Sequence, residues 1–171
     1  MKAFTHRLAV GVIAGTVGTA AMDTLLYRRY RQGGGSEDAR SWESAAGVSN
    51  WEQASAPGKL GQKAERLVLG HEPPASGARP TTNFVHWATG IGWGISYALL
   101  ASRTPKHPWI RALALGPFVW LSGYVVLPVA KVYEPIWNYD AQTLGKDFSA
   151  HLVYGTATSA TVALLSRTAR S

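Results

Sequence analysis

Apolar residues gather into four runs that are almost free of charge: Leu8 to Tyr27, Phe84 to Ala101, Ala112 to Ala130 and Phe148 to Leu165. An α-helix needs about 20 apolar residues to cross a hydrocarbon core, and each run comes close to that length. None keeps the polar face of a helix lying on a water-soluble core, which argues against buried helices of a soluble protein. The pattern predicts an all-α fold, a four-span transmembrane antiparallel helical bundle with spans at about 8–27, 84–101, 110–130 and 148–166. Residues 1–171 then form a single membrane domain. Lys2 and Arg7 precede the first run as they would in a secretory signal, but Tyr27-Arg28-Arg29-Tyr30 follows it in place of a small-residue cleavage site. The first span is expected to be retained.

Polar positions concentrate between the runs. Residues 28–81 form an external loop with short helices of its own. Ser36 is placed to cap a short helix from Glu37, and a second helix enters at Pro57 and stops at Gly70. Leu60, Ala64, Leu67 and Val68 share one face of that second helix, opposite Lys59, Lys63 and Arg66. Such a basic amphipathic helix either lies on the membrane surface or packs down as a lid. HEPPASGARP (71–80) reads as a stiff linker. In the other external segment, 131–147, Tyr133, Trp137 and Tyr139 are expected to anchor at the lipid headgroups.

Charge sets the orientation. The chain has 16% charged residues, below the usual quarter, and its mean hydropathy of −0.04 averages over well-separated apolar and polar segments. With four spans, both termini and the 102–109 loop share one side, which carries Lys2, Arg7, Arg103, Lys106, Arg111, Arg167 and Arg170 and no acid. The net charge of +7 thus belongs to that side, and cations in short loops make it cytoplasmic. Arg28, Arg29 and Arg31 oppose this assignment, but they begin a long loop of the kind that translocates largely regardless of charge. The cations hug the bilayer, so lipid headgroups rather than nucleic acid are the expected partner. Cysteine is absent, which excludes disulfides, thiolate metal sites and thiol catalysis.

Reading every fourth residue exposes stripes. They are Gly11, Gly15, Thr19, Asp23 in the first span, His86, Gly90, Gly94, Ala98 in the second, and His151, Gly155, Ser159, Ala163 in the fourth. Small residues at this spacing let membrane helices approach closely, which makes Gly11, Gly15, Gly94 and Ser159 candidate packing positions. Each stripe ends in an ionisable group, and Lys131 and Asp147 are expected at the same depth. Ionisable residues inside membranes face the bundle interior in pairs, so Asp23, His86, Lys131, Asp147 and His151 are expected to form one polar layer. A hydrogen-bonded plug that fixes helix register is the simplest use of such a layer. A second is haem b ligation by His86 and His151, with Gly90 and Gly155 leaving room for the macrocycle. A proton path is a third, although the inner halves of the spans offer few polar groups to extend it. Histidines beside an acid also allow a pH response. The glycine-rich GVIAGTVG (11–18) and GIGWG (90–94) lie inside apolar helices, which removes them as phosphate loops. The second and fourth spans share a faint repeat, Phe84-Val85-His86 with Gly90 and Phe148 to His151 with Gly155.

The first span GVIAGTVGTAAMD, the second FVHWATGIGWGISYALL and the fourth FSAHLVYGTATS together resemble the YagU-like family of small bacterial inner-membrane proteins. The resemblance implies a helical inner-membrane protein of unassigned biochemistry, linked to acid tolerance in some members, and carries no catalytic or metal residues. The expected function is a structural or partner-binding membrane subunit, working with other subunits or as a homo-oligomer and needing no cofactor. A haem- or quinone-binding redox subunit is the alternative.

Overall fold

The computed structural model describes residues 2–100 and 108–168. Among them the chain is helical throughout, with no strand: α1 (Lys2–Gln32), α2 (Ala39–Glu43), α3 (Ala56–Leu69), α4 (Ala78–Leu100), α5 (Pro108–Val129) and α6 (Ala141–Thr168). The 102–109 loop with Arg103 and Lys106 lies largely outside the described residues. Arg170 and the side chains of Lys2, Arg111 and Arg167 lie outside them too. One helical stretch among the described residues, Phe4–Gln32, is long and apolar enough to cross a membrane, and Leu113–Val129 is a shorter apolar stretch. In α4 and α6 the threonines, glycines, serines and histidines dilute the apolar character.

Helix ends differ from the sequence expectation where local hydrogen bonding decides. The short helix expected from Glu37 starts at Ala39, and its cap is Asp38 rather than Ser36. The Asp38 carboxylate accepts from the amides of Arg40 (2.9 Å) and Ser41 (3.0 Å), which a serine two residues earlier cannot reach. Pro57 lies in the first turn of α3, and Gly70 ends that helix at φ 73°, as a left-handed C-terminal residue should. HEPPASGARP is only partly a linker. Ala75–Gly77 form a 3-10 turn that runs directly into α4, so Arg79 and Pro80 belong to the first turn of that helix, where proline is tolerated.

The chain divides into two compact units. The first comprises residues 1–26, 89–122 and 140–171, and there α1, α4, α5 and α6 pack through small residues. A Cβ on Gly11 would stand 2.5 Å from Ile95 Cα, and one on Gly94 would stand 2.5 Å from Gly15 Cα, so α1 and α4 are in backbone contact. Gly116 of α5 meets the backbone of α6 in the same way, 2.5 Å from His151 O, and Gly155 packs back on Gly116. Each expected hairpin therefore closes on a pair of glycines. The edge-on rings of Trp93 and Phe118, with centroids 5.5 Å apart, join α4 to α5. Tyr154, Leu115 and Val119 form a cluster with Met22, Trp93 and Tyr97 packed against it.

The second unit comprises residues 27–88 and 123–139. Tyr27 and Tyr30 of α1 meet Trp42 of α2 at 5.5 and 6.2 Å. Arg79 and Asn83 of α4 both donate to the Ser44 carbonyl at 2.9 Å, closing the end of α2. α3 packs on the first turns of α4 through its glycines. Gly58 lies against Thr82, Gly61 lies against Thr81 and Val85, and the Thr81 hydroxyl donates to the Glu65 carboxylate. The apolar face of α3 is not the one that packs on α4: Leu67 and Val68 are exposed. Glycine allows a closer helix approach than leucine, and the Thr81 hydroxyl needs that proximity to reach Glu65. Tyr133 packs tilted and Tyr139 edge-on against Tyr124, at 5.6 Å each, while Trp137 is exposed.

At the start of α6 the Asp140 carboxylate accepts from the Thr143 hydroxyl (2.7 Å) and amide (2.9 Å). These bonds favour the ionised form, and the Thr143 hydroxyl chiefly holds the Asp140 pKa below the usual 3.8. A depressed folded pKa contributes stability that is present above the unfolded value and lost as pH falls through the folded one. The first turn of α6 is therefore expected to fray below about pH 4. Amide exchange at Thr143 should accelerate there, beyond its intrinsic pH dependence, in the parent chain but not in Asp140→Asn.

Candidate functional site

The polar stripe of α1 faces inward. Gly11, Gly15, Thr19 and Asp23 are all buried, Asp23 at 4% exposure. Such a row is costly to bury without partners, and the first unit supplies them. Thr19 Oγ1 donates to the Gly15 carbonyl at 2.9 Å and sits where a Cβ on Gly90 of α4 would be. Tyr154 of α6 donates its hydroxyl to the Gly90 carbonyl at 2.6 Å. Thr158, one turn on, lies against Gly18 of α1 together with the Tyr154 ring. Three helices thus meet at Gly18, Thr19, Gly90, Tyr154 and Thr158, a knot of hydroxyls and glycines in which the Tyr154–Gly90 bond ties α6 to α4 and close packing holds α1.

The remaining ionisable residues are placed as follows. His151 and Asp147 form a pair within α6. His151 Nδ1 lies 2.9 Å from the Asp147 carbonyl and 3.4 Å from its carboxylate, which orients the ring and leaves Nε2 as the outward nitrogen. His86 belongs to the second unit, edge-on to Trp87 at 6.1 Å. Lys131 also belongs to the second unit, where it follows α5 as an exposed residue at φ 53°. Asp23, Asp147 and His151 are in the first unit. The two glycines expected to leave room for a macrocycle are both engaged in packing: Gly90 faces Thr19 and Gly155 faces Gly116. No group of three or more histidine, aspartate or glutamate side chains that could hold a metal ion occurs among the described residues.

Tyr154 and Thr158 were missed by the four-residue rows because they lie at i+3 and i+7 from His151, on the flank of the stripe. The signal was available, since helix faces repeat at three as well as four residues. Lys59, Lys63 and Lys131 are brought to one pocket of about 310 Å³ in the second unit, with Trp51, Glu52, Gln62 and Val132. No family model, curated protein or solved structure matches this chain.

Proposed function

We propose that this chain is a multi-pass protein of the bacterial inner membrane, a four-span helical bundle with both termini cytoplasmic. In this reading it acts without catalysis, as a structural or partner-binding subunit or in tolerance of membrane stress such as acid. The observation that carries the proposal is the distribution of residue types in the first unit. Small and hydroxylated residues, Gly15, Thr19, Thr158 and Ser159, are inside, while Val12, Ile13, Val17, Leu113, Phe118, Leu121 and Leu164 are exposed. Water drives large aliphatic groups inward; lipid does not, and leaves the interior to residues that pack closely. The acid-tolerance element rests on the YagU-like resemblance, and the partners are other membrane subunits or a second copy. Alkaline carbonate washing tests the membrane part: the chain should remain in the pellet, and its release to the supernatant would make it peripheral or soluble.

The redox alternative, haem b or a quinone at His86 and His151, draws on one feature, the anchored Nδ1 of His151. It is the weaker reading because the flanking glycines are committed to helix contacts. The purified chain, supplied with haem during expression, is expected to give a visible spectrum without a Soret band. A Soret band lost in both His86→Ala and His151→Ala would establish the redox reading instead.

A further inference from the structure

The pocket in the second unit has a mainly cationic lining. Lys59 and Lys63 reach it from successive turns of α3, and Lys131 reaches it from the end of α5. The one carboxylate in the lining is Glu52. Among the described residues none of the three lysines forms an ion pair, although Lys59 is half-buried. The nearby acid that could have paired is used elsewhere: Glu72 accepts from Gln62 and faces Arg66 at 3.6 Å. Trp51 forms a fixed wall, its indole N–H donating to the Pro73 carbonyl at 3.0 Å. A volume of about 310 Å³ holds roughly ten waters and stands at the small end of ligand pockets.

Lys131 is an independent sign that the site is built. The end of α5 is a Schellman turn, in which Val132 N–H bonds to Leu127 O (2.8 Å) and Lys131 N–H bonds to Pro128 O (2.8 Å). The residue at the Lys131 position must be left-handed, and glycine, sometimes asparagine, normally takes it. Here a lysine occupies it at φ 53°, at a cost in backbone strain. A strained residue whose side chain enters a cationic pocket is explained by what the side chain does there.

We propose that this pocket binds a phosphate-bearing anion, with Lys59, Lys63 and Lys131 as its ligands and Trp51 as an apolar wall. Three ammonium groups around a volume of this size suit a phosphomonoester or phosphodiester, as a free compound or as the headgroup of an acidic lipid. On the apolar side of α3 Leu67 and Val68 are exposed, an arrangement that lets the cations meet headgroups while these side chains meet acyl chains.

The test is protection of the three lysines from acylation in the full-length chain, read by mass spectrometry. The probes are glycerol 1-phosphate added in detergent, nanodiscs of phosphatidylglycerol, and nanodiscs of phosphatidylcholine. Saturable protection by glycerol phosphate, roughly fivefold or more at all three lysines relative to Lys2 and Lys146 outside the pocket, assigns a free phosphate compound. Protection by phosphatidylglycerol alone assigns a lipid headgroup. Equal labelling with every probe overturns the site. Lys131→Gly separates binding from folding, because it relieves the strain as it removes a cation. It should raise the Tm by about 2–4 °C while weakening protection of Lys59 and Lys63 roughly tenfold. A variant that is stabilised with protection unchanged would also overturn the proposal.

Discussion

Gly94→Leu is expected to destabilise the protein by about 3 kcal/mol or more, and Gly92→Leu to be nearly neutral. The two positions are two residues apart on α4 with the same local propensity, so helix propensity cancels in the comparison. What differs is the neighbour. A Cβ on Gly94 would stand 2.5 Å from Gly15 Cα and 2.6 Å from the Gly11 carbonyl, whereas one on Gly92 meets nothing within 4 Å. Backbone cannot turn aside as a long side chain can, so α1 and α4 must separate. Overfilling a close-packed contact costs about 1–3 kcal/mol and sometimes more, and the parted helices also lose the contact of Thr19 with Gly90. The Tm in detergent or nanodiscs should fall by about 10 °C for Gly94→Leu. Equal melting of the two variants would remove the glycine contact as the basis of packing.

Leu121→Arg addresses the surface instead of the seam. Leu121 is 53% exposed near the middle of α5. On a water-soluble protein an exposed leucine can become arginine with a change within about 0.5 kcal/mol. At the centre of a membrane span the same change costs about 2.5–3.5 kcal/mol on insertion scales. Leu121→Arg is expected to lower membrane-inserted yield severalfold while Leu121→Phe leaves it unchanged. A well-folded Leu121→Arg protein at parental yield, with improved solubility, would indicate a water-facing surface.

Much of the packing was legible because it depends on spacing alone. Gly11, Gly15, Thr19 and Asp23 recur every fourth residue, and the helix turns that interval into a face. Other features needed three dimensions. The buried face of α3 escaped notice because Gly58 and Gly61 carry no hydrophobicity, and a search for apolar stripes selects Leu67 and Val68, which the fold leaves exposed. Lys131 is legible as a charged residue at the end of the third run, but its left-handed conformation is not, since a lysine in such a cap runs against residue preference. Tyr154 reads as another apolar residue of the fourth run. Its hydroxyl acquires meaning only when α4 brings the Gly90 carbonyl within 2.6 Å.

The absence of cysteine makes the central claim, four spans with cytoplasmic termini, open to direct measurement. Single cysteines at Ser36, Ser102 and Ser171 can each be treated with a membrane-impermeant maleimide, first on intact spheroplasts and then after permeabilisation. With four spans, Ser36→Cys is labelled in intact spheroplasts, and Ser102→Cys and Ser171→Cys are labelled only once the membrane is opened. Labelling of all three from the same side would contradict the four-span bundle.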